Sequence, residues 1–211
     1  NNQLVGRITI DDVVDVICDQ AEHSVMSMVG LDEDEDVFAP IIQSSKRRSV
    51  WLGVNLVTAF IAVYFIGLFE ATLQQKIALA ILMPVVASMG GIAGTQTLII
   101  VTRGIATGRV TTANIKTLIN KEVAVSGLNG IIWSIVIGLI TYYWFADLLL
   151  SLIIALAIIT NLVVAAFSGA FLPLLLSKLK IDPALAGGVI LTTITDVIGF
   201  VAFLGLAALF I

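Results

Sequence analysis

The sequence predicts an all-α membrane protein whose bulk is a bundle of five transmembrane helices. Two observations carry this expectation. Hydrophobic residues make up 59% of the 211 residues and charged residues only 12%, with a mean hydropathy of +1.07; an ordinary soluble domain is roughly half apolar and about a quarter charged. No water-soluble fold of this size hides so much apolar surface. The apolar residues also fall into long runs. Crossing a hydrocarbon core about 30 Å thick takes about 20 residues as helix, because lipid offers no partner to an open backbone group.

Five runs qualify: 50–69, 77–102, 123–145, 148–177 and 184–211. The second and fourth are longer than a span needs, so they are expected to tilt, kink or break, at Pro84 and the Gly90–Gly94 cluster in one and at Pro173 in the other. Packing in lipid depends on small residues that let backbones approach. Gly90 and Gly94 in the second run, and Gly130, Ser134 and Gly138 in the third, have the required spacing. The joint from Arg103 to Glu122 is polar and reads as a helical segment lying on the membrane surface.

The loop bases orient the bundle. Lys46, Arg47 and Arg48, then Arg103, Arg109, Lys116 and Lys121, then Lys178 and Lys180 all fall on one side, against Lys76 alone on the other. A cytoplasmic N-terminus and an external C-terminus in a plasma membrane follow as the expectation. Cys18 is a single cysteine, which excludes a disulfide framework and a cysteine metal site. The first residues, Asn1-Asn2-Gln3-Leu4-Val5-Gly6-Arg7, lack the pattern of a signal peptide and read as the interior of a longer protein.

Ahead of the spans, 4–10 reads as a short strand and 11–22 as a helix with Asp11, Asp15, Asp19 and Glu22 on one face. Like charges at that spacing oppose a helix by a few tenths of a kcal/mol per pair, unless a cation lies across them. The run Asp32-Glu33-Asp34-Glu35-Asp36 follows, then the basic Lys46-Arg47-Arg48. Two readings are open: a solvated acidic linker, or a sensor that binds a divalent ion beside a channel entrance.

Most acids sit at span ends, where headgroups and water are in reach; Glu70, Glu122, Asp147 and Asp182 are of this kind. Asp196 is not. It lies near the middle of the fifth run, where an ionised Asp costs about 2.5–3.5 kcal/mol to insert and normally faces a bundle interior or a wet cavity. No Lys, Arg or His occurs in any span, so its counter-charge is expected to be mobile. Counting back by helical turns gives Thr192 and Gly188 on the same stripe, with Thr193 and Thr195 beside it. Such a stripe offers oxygen ligands, which hard cations prefer. The soft ligands His23 and Cys18 both lie outside the spans. One carboxylate is thin provision for a dication, but a two-fold homodimer would bring two copies of Asp196 together. Magnesium dehydrates reluctantly, so the expected contact is through water, in a pore that passes partly or fully hydrated ions.

At this point the chain resembles a known family. Pro84-Val85-Val86-Ala87-Ser88-Met89-Gly90-Gly91, with Gly94 and Gln96, is similar to the second span of the MgtE family of magnesium channels. Ile181-Asp182-Pro183-Ala184-Leu185-Ala186, followed by Thr192-Thr193-Ile194-Thr195-Asp196-Val197-Ile198-Gly199-Phe200, is similar to its fifth. Asn129-Gly130 and Asn161 fit as well, and 4–13 resembles the end of a CBS domain. The resemblance implies five spans per subunit, a homodimer with its pore on the two-fold axis, and three regions: a CBS remnant at 1–30, an acidic linker and plug helix at 31–49, and the pore domain at 50–211. It implies Asp196 as selectivity carboxylate with Thr192 and Gly188 as metal ligands, and Thr193, Gly90, Gly91 and Asn161 along the pore. Asp32, Glu33, Asp34, Glu35 and Asp36 would bind regulatory magnesium. Ile92 stands where the family usually has Asn, and Gly187-Gly188-Val189 where it usually has Ser-Gly-Pro, which extends the expected ions to manganese or cobalt.

The alternative is a secondary transporter that exchanges a divalent cation for protons or sodium, since a mid-membrane carboxylate in broken helices suits that class too. An enzyme is not expected: an intramembrane aspartyl protease needs two such acids, and a serine protease a partnered His. The expected partners are divalent metal ions, the bilayer and a second copy, with no nucleic acid.

Overall fold

The computed structural model describes residues 7–27, 38, 40–111, 113–181 and 183–211, apart from the side chains of 18, 20–25, 27 and 183–186. All regular structure among them is helical: α1 Ile10–Ser27, α2 Ile41–Gly67, α3 Glu70–Gln75, α4 Ile77–Ala106, α5 Ile115–Phe145, α6 Leu148–Lys178 and α7 Pro183–Phe210. Five of these helices are long and apolar enough to cross a membrane, as the hydropathy predicts.

The ends of the helices follow local chemistry. Thr9 donates from its N–H and its hydroxyl to Asp12 Oδ2 at 2.6 and 2.7 Å, the return half of a capping box at the start of α1. Arg7–Thr9 form no strand and Ile10 is already helical, while 4–6 and the acidic run 32–36 lie outside the described residues. Pro40, with fixed φ and no N–H to lose, precedes α2. From there α2 runs unbroken to Gly67, so the described end of the region 31–49, from Ile41 on, and the first span form one rod. Ala146, at φ 50°, ends α5 and turns the chain; Asp147 then caps α6 by accepting from the Leu150 N–H at 2.9 Å.

The two prolines do not break their helices. Pro84 lies inside α4 and Pro173 inside α6, and both helices are continuous. At about 1.5 Å per residue, the 30 residues of α4 extend well past a hydrocarbon core. The surface helix expected between the second and third spans does not form either. α4 ends at Ala106, and α5 begins at Ile115 and reaches the membrane directly. The polar residues 115–122 continue the helix because apolarity marks depth in lipid, not the point where hydrogen bonding stops.

α6 is the centre of the bundle, packed against α4, α5 and α7. Toward one end, Leu79, Leu82 and Val86 of α4 meet Leu150, Ile154 and Ile158 of α6 and Phe203, Leu204 and Ala207 of α7. Toward the other, Leu98, Leu172 and Leu191 form a smaller cluster. α5 lies on α6 through a stripe of small and polar residues, Ser126, Gly130, Ser134 and Thr141. A Cβ on Gly130 would stand 3.4 Å from Ile159 Cα, so the small residue sets how near the backbones come. α2 packs chiefly along α7 and buries only Ala62. On the face that carries the α3–α4 and α5–α6 joints, Lys76 and Asp147 form an ion pair.

Candidate functional site

The inward edge of α7 is built from Gly187, Leu191, Thr195, Gly199 and Phe203, all buried and one helical turn apart. Beside that edge runs the row Gly188, Thr192 and Asp196, half-buried in the single subunit. The Asp196 carboxylate makes no hydrogen bond and no salt bridge to any described residue. Its helix is not short of donors: Thr192, Thr193 and Thr195 all carry hydroxyls. Those hydroxyls are engaged elsewhere. Thr192 Oγ1 donates to the carbonyls of Gly188 and Val189 at 3.1 and 3.0 Å, Thr193 Oγ1 to Val189 at 2.8 Å, and Thr195 Oγ1 to Thr192 at 3.0 Å.

Back-bonding of this kind is the ordinary way a mid-helix threonine satisfies its proton in an apolar setting. Its chemical result is that the threonine oxygens beside Asp196 retain lone pairs but no free hydrogen. The row therefore presents acceptors only: hydroxyl oxygens and one carboxylate. Among the described residues no cluster of three or more His, Cys, Asp or Glu side chains is placed to hold a metal. A single subunit thus offers one charge and neutral oxygens, a set that suits a hard, hydrated cation rather than a tightly ligated one.

The other sequence-predicted residues separate into two groups. Gly90 and Asn161 meet inside the bundle. Asn161 is fully buried, its Nδ2 donates to the Val86 carbonyl at 2.8 Å, and its Oδ1 has no partner. A Cβ on Gly90 would lie 2.2 Å from Asn161 Nδ2, and one on Gly199 would lie 2.6 Å from it. Both glycines are the notch that admits the amide between α4 and α7. Gly91, one residue on, is half-buried and has open space where a Cβ would be. Asp32, Glu33, Asp34, Glu35 and Asp36 lie outside the described residues.

Two features are absent from the sequence-based expectations. Glu122, read as a headgroup-level acid, is only 5% exposed and lies 3.5 Å from Lys121 Nζ. Counting back by fours along the α5 stripe from Ser134 through Gly130 and Ser126 reaches Glu122, so the signal was there. The role of Gly199 had no local signal, because the side chain that fills its place comes from another helix.

Outside the apolar runs, Asp147 is an acid on which its surroundings act. The Lys76 ammonium, followed by the Leu150 N–H, holds its carboxyl below the usual carboxylate range.

Comparison with known proteins gives a consistent result. The profile of the MgtE family, described as "Divalent cation transporter", matches residues 83–206. The chain is 33% identical over 211 residues to a magnesium transporter MgtE of Bacillus subtilis, a match that covers 100% of this chain and 47% of that protein. Magnesium transporters MgtE of Enterococcus faecalis and Thermus thermophilus are each 29% identical over 210 residues, covering 100% and 98% of this chain and 46% of each relative. The chain therefore spans about half the length of the relatives it matches. Its five apolar helices, and a matched segment that begins in α4 and ends in α7 with Asp196 inside it, place this multi-pass membrane protein in the MgtE family.

Proposed function

We propose that the chain conducts a divalent cation, magnesium before manganese or cobalt, across the plasma membrane through a pore on the two-fold axis of a homodimer, with Asp196 as the selectivity carboxylate. The observation that carries this reading is the state of Asp196: half-buried in the fifth span and without a partner among the described residues. An uncompensated charge at that depth is costly, and a passing cation supplies the compensation. The names of the relatives, all magnesium transporters, support the choice of ion.

The chemistry follows from the oxygens. A hydrated magnesium ion presents outward-pointing O–H groups, and the Thr192 and Thr193 hydroxyl oxygens, with their hydrogens engaged in the helix, accept from them. The ion need not shed its inner waters, a step it resists. Two Asp196 carboxylates facing each other across the axis repel until a dication lies between them. A monovalent ion relieves only part of that repulsion, which gives the preference for a double charge. Orientation follows from the bases at one end of the bundle: the N-terminus is cytoplasmic and the C-terminus external.

The test is flux of magnesium into proteoliposomes loaded with a magnesium-sensitive dye, with equal proton and sodium concentrations on both sides. The expected result is flux in the native protein and its loss in Asp196→Ala. Equal flux in the two proteins would end the reading. Flux that appears only with an imposed proton or sodium gradient would point to the exchanging transporter instead.

A further inference from the structure

We propose that the chain binds an anionic phospholipid in a cavity between the end of α4 and the start of α5, with the phosphate seated among Arg103, Arg109 and Lys121. The cavity encloses about 510 Å³, and these three cations share its wall with Ile100, Thr117 and Leu118. None of the residues of the α7 row lines it, and it is used in no step of the proposed conduction.

The wall is a constructed one. Past the end of α4 the chain curls back, and the amides of Arg109 and Val110 both donate to the Gly104 carbonyl at 2.9 and 3.0 Å. Gly108 turns the chain at φ 66°. A Cβ on Gly104 would stand 2.5 Å from Val110 Cγ2, so the loop closes this tightly only over a glycine. Asn114 fastens the far side: its Nδ2 donates to the Arg109 carbonyl at 2.8 Å, and its Oδ1 accepts from the Thr111 N–H at 2.8 Å. These bonds fix the backbone at Arg109, which lines the cavity together with Arg103. Neither guanidinium has a carboxylate partner among the described residues, and the acid nearest in sequence, Glu122, is buried beside Lys121.

Shape and polarity select a lipid over a soluble anion. α4 and α5 both pack on α6 but barely meet each other, so the facing sides of the two helices are not closed by contact between them. Ile100 is half-exposed on the cavity wall, and Ile99 of α4 and Val125 of α5 are exposed near it in sequence. A headgroup held by the cations would thus lie beside exposed apolar side chains of α4 and α5, against which acyl chains can pack. Basic pockets between spans at the membrane surface take anionic headgroups by this arrangement, each base contributing about fivefold in affinity.

The bland account is that these bases serve only to orient the chain. That account makes all bases on this face equivalent, and the experiment separates the two. Native mass spectrometry of the purified full chain is titrated with dioleoyl phosphatidylglycerol, with the phosphatidylcholine analogue as neutral lipid and inorganic phosphate as soluble anion. The native protein is expected to prefer phosphatidylglycerol. Arg103→Gln/Arg109→Gln/Lys121→Gln should weaken that binding about a hundredfold, and Lys178→Gln/Lys180→Gln should leave it unchanged. If the triple variant does not fold, Thr117→Trp fills the cavity without removing a charge and should abolish the preference. No lipid preference in the native protein, an equal loss in the Lys178→Gln/Lys180→Gln control, or displacement of the lipid by millimolar phosphate would each overturn the proposal. So would a crosslink showing a second copy seated over the cavity.

Discussion

Asn161 of α6 donates from its Nδ2 to the Val86 carbonyl of α4 at 2.8 Å, across a gap that only glycine at positions 90 and 199 leaves open. This contact lies between the two apolar clusters and joins α4, α6 and α7 at one level. A buried amide in such a place fixes register, because any other alignment leaves it unpaired.

Gly90→Ala is expected to destabilise the bundle by about 1–3 kcal/mol through overpacking, since the new methyl would overlap the Asn161 amide. Asn161→Ala should destabilise it as well. Combined, the two changes should cost less than their sum, because the second removes the group with which the first collides. Thermal unfolding in detergent of the four proteins gives the coupling directly; strict additivity would show that the notch is not filled by this side chain.

Glycines elsewhere should behave in opposite ways. A Cβ on Gly169 would lie 2.6 Å from the Gly94 carbonyl oxygen, and backbone cannot swing aside, so Gly169→Ala should lower the thermal midpoint. Gly91 has nothing within 4 Å of its virtual Cβ. There, Gly91→Ala should raise stability by up to about 1 kcal/mol from helix propensity, while narrowing the proposed pore and reducing magnesium flux. Stability and flux measured on the same preparations separate packing from conduction.

Asp196→Asn keeps the size of the side chain and removes the charge. It should leave the thermal midpoint within a degree or two, or raise it, and reduce magnesium flux at least tenfold, an estimate that follows from losing one unit charge a few ångströms from the ion. Thr192→Val retains shape and loses one oxygen, so a smaller loss of roughly two- to fivefold is expected, of the size of one neutral hydrogen bond to a water. Dye-based flux and unfolding curves report both.

The Lys76–Asp147 pair predicts a pH dependence. The Asp147 carboxyl is held below its ordinary value of 3.8, first by Lys76. A depressed acid adds stability that is present above its unfolded value and is lost as pH falls through its folded value. The stabilising contribution should thus be complete at pH 5 and decline only below about 3.8. Asp147→Asn should flatten this acid limb and lower the thermal midpoint modestly at neutral pH, since both partners are partly exposed and solvent screens them. Midpoints of the two proteins should converge at the acid end.

Much of the fold is legible in the sequence because lipid simplifies the problem. Each of the five apolar runs appears as a helix, and the row of Gly188, Thr192 and Asp196 follows from helical period alone. Helix was expected ahead of the first and third spans, but its continuity with them was not legible, because Ile41 and Ile115 begin α2 and α5 in stretches too polar to register as span. The destination of Asn161 was not legible for a different reason. Its partner is 75 residues away, and nothing local specifies which turn of α4 it meets. The cavity at Arg103 and Arg109 was hidden in the same way, its bases readable only as topological markers until the loop closed over Gly104.

The threonines of α7 carry one more implication. With every hydroxyl hydrogen directed into the helix, that stretch of the proposed pore has nothing to offer a halide, which would need a donor to replace the water it sheds. If these threonines line the proposed pore, rejection of chloride is a property of that lining itself, and it should survive in Asp196→Asn.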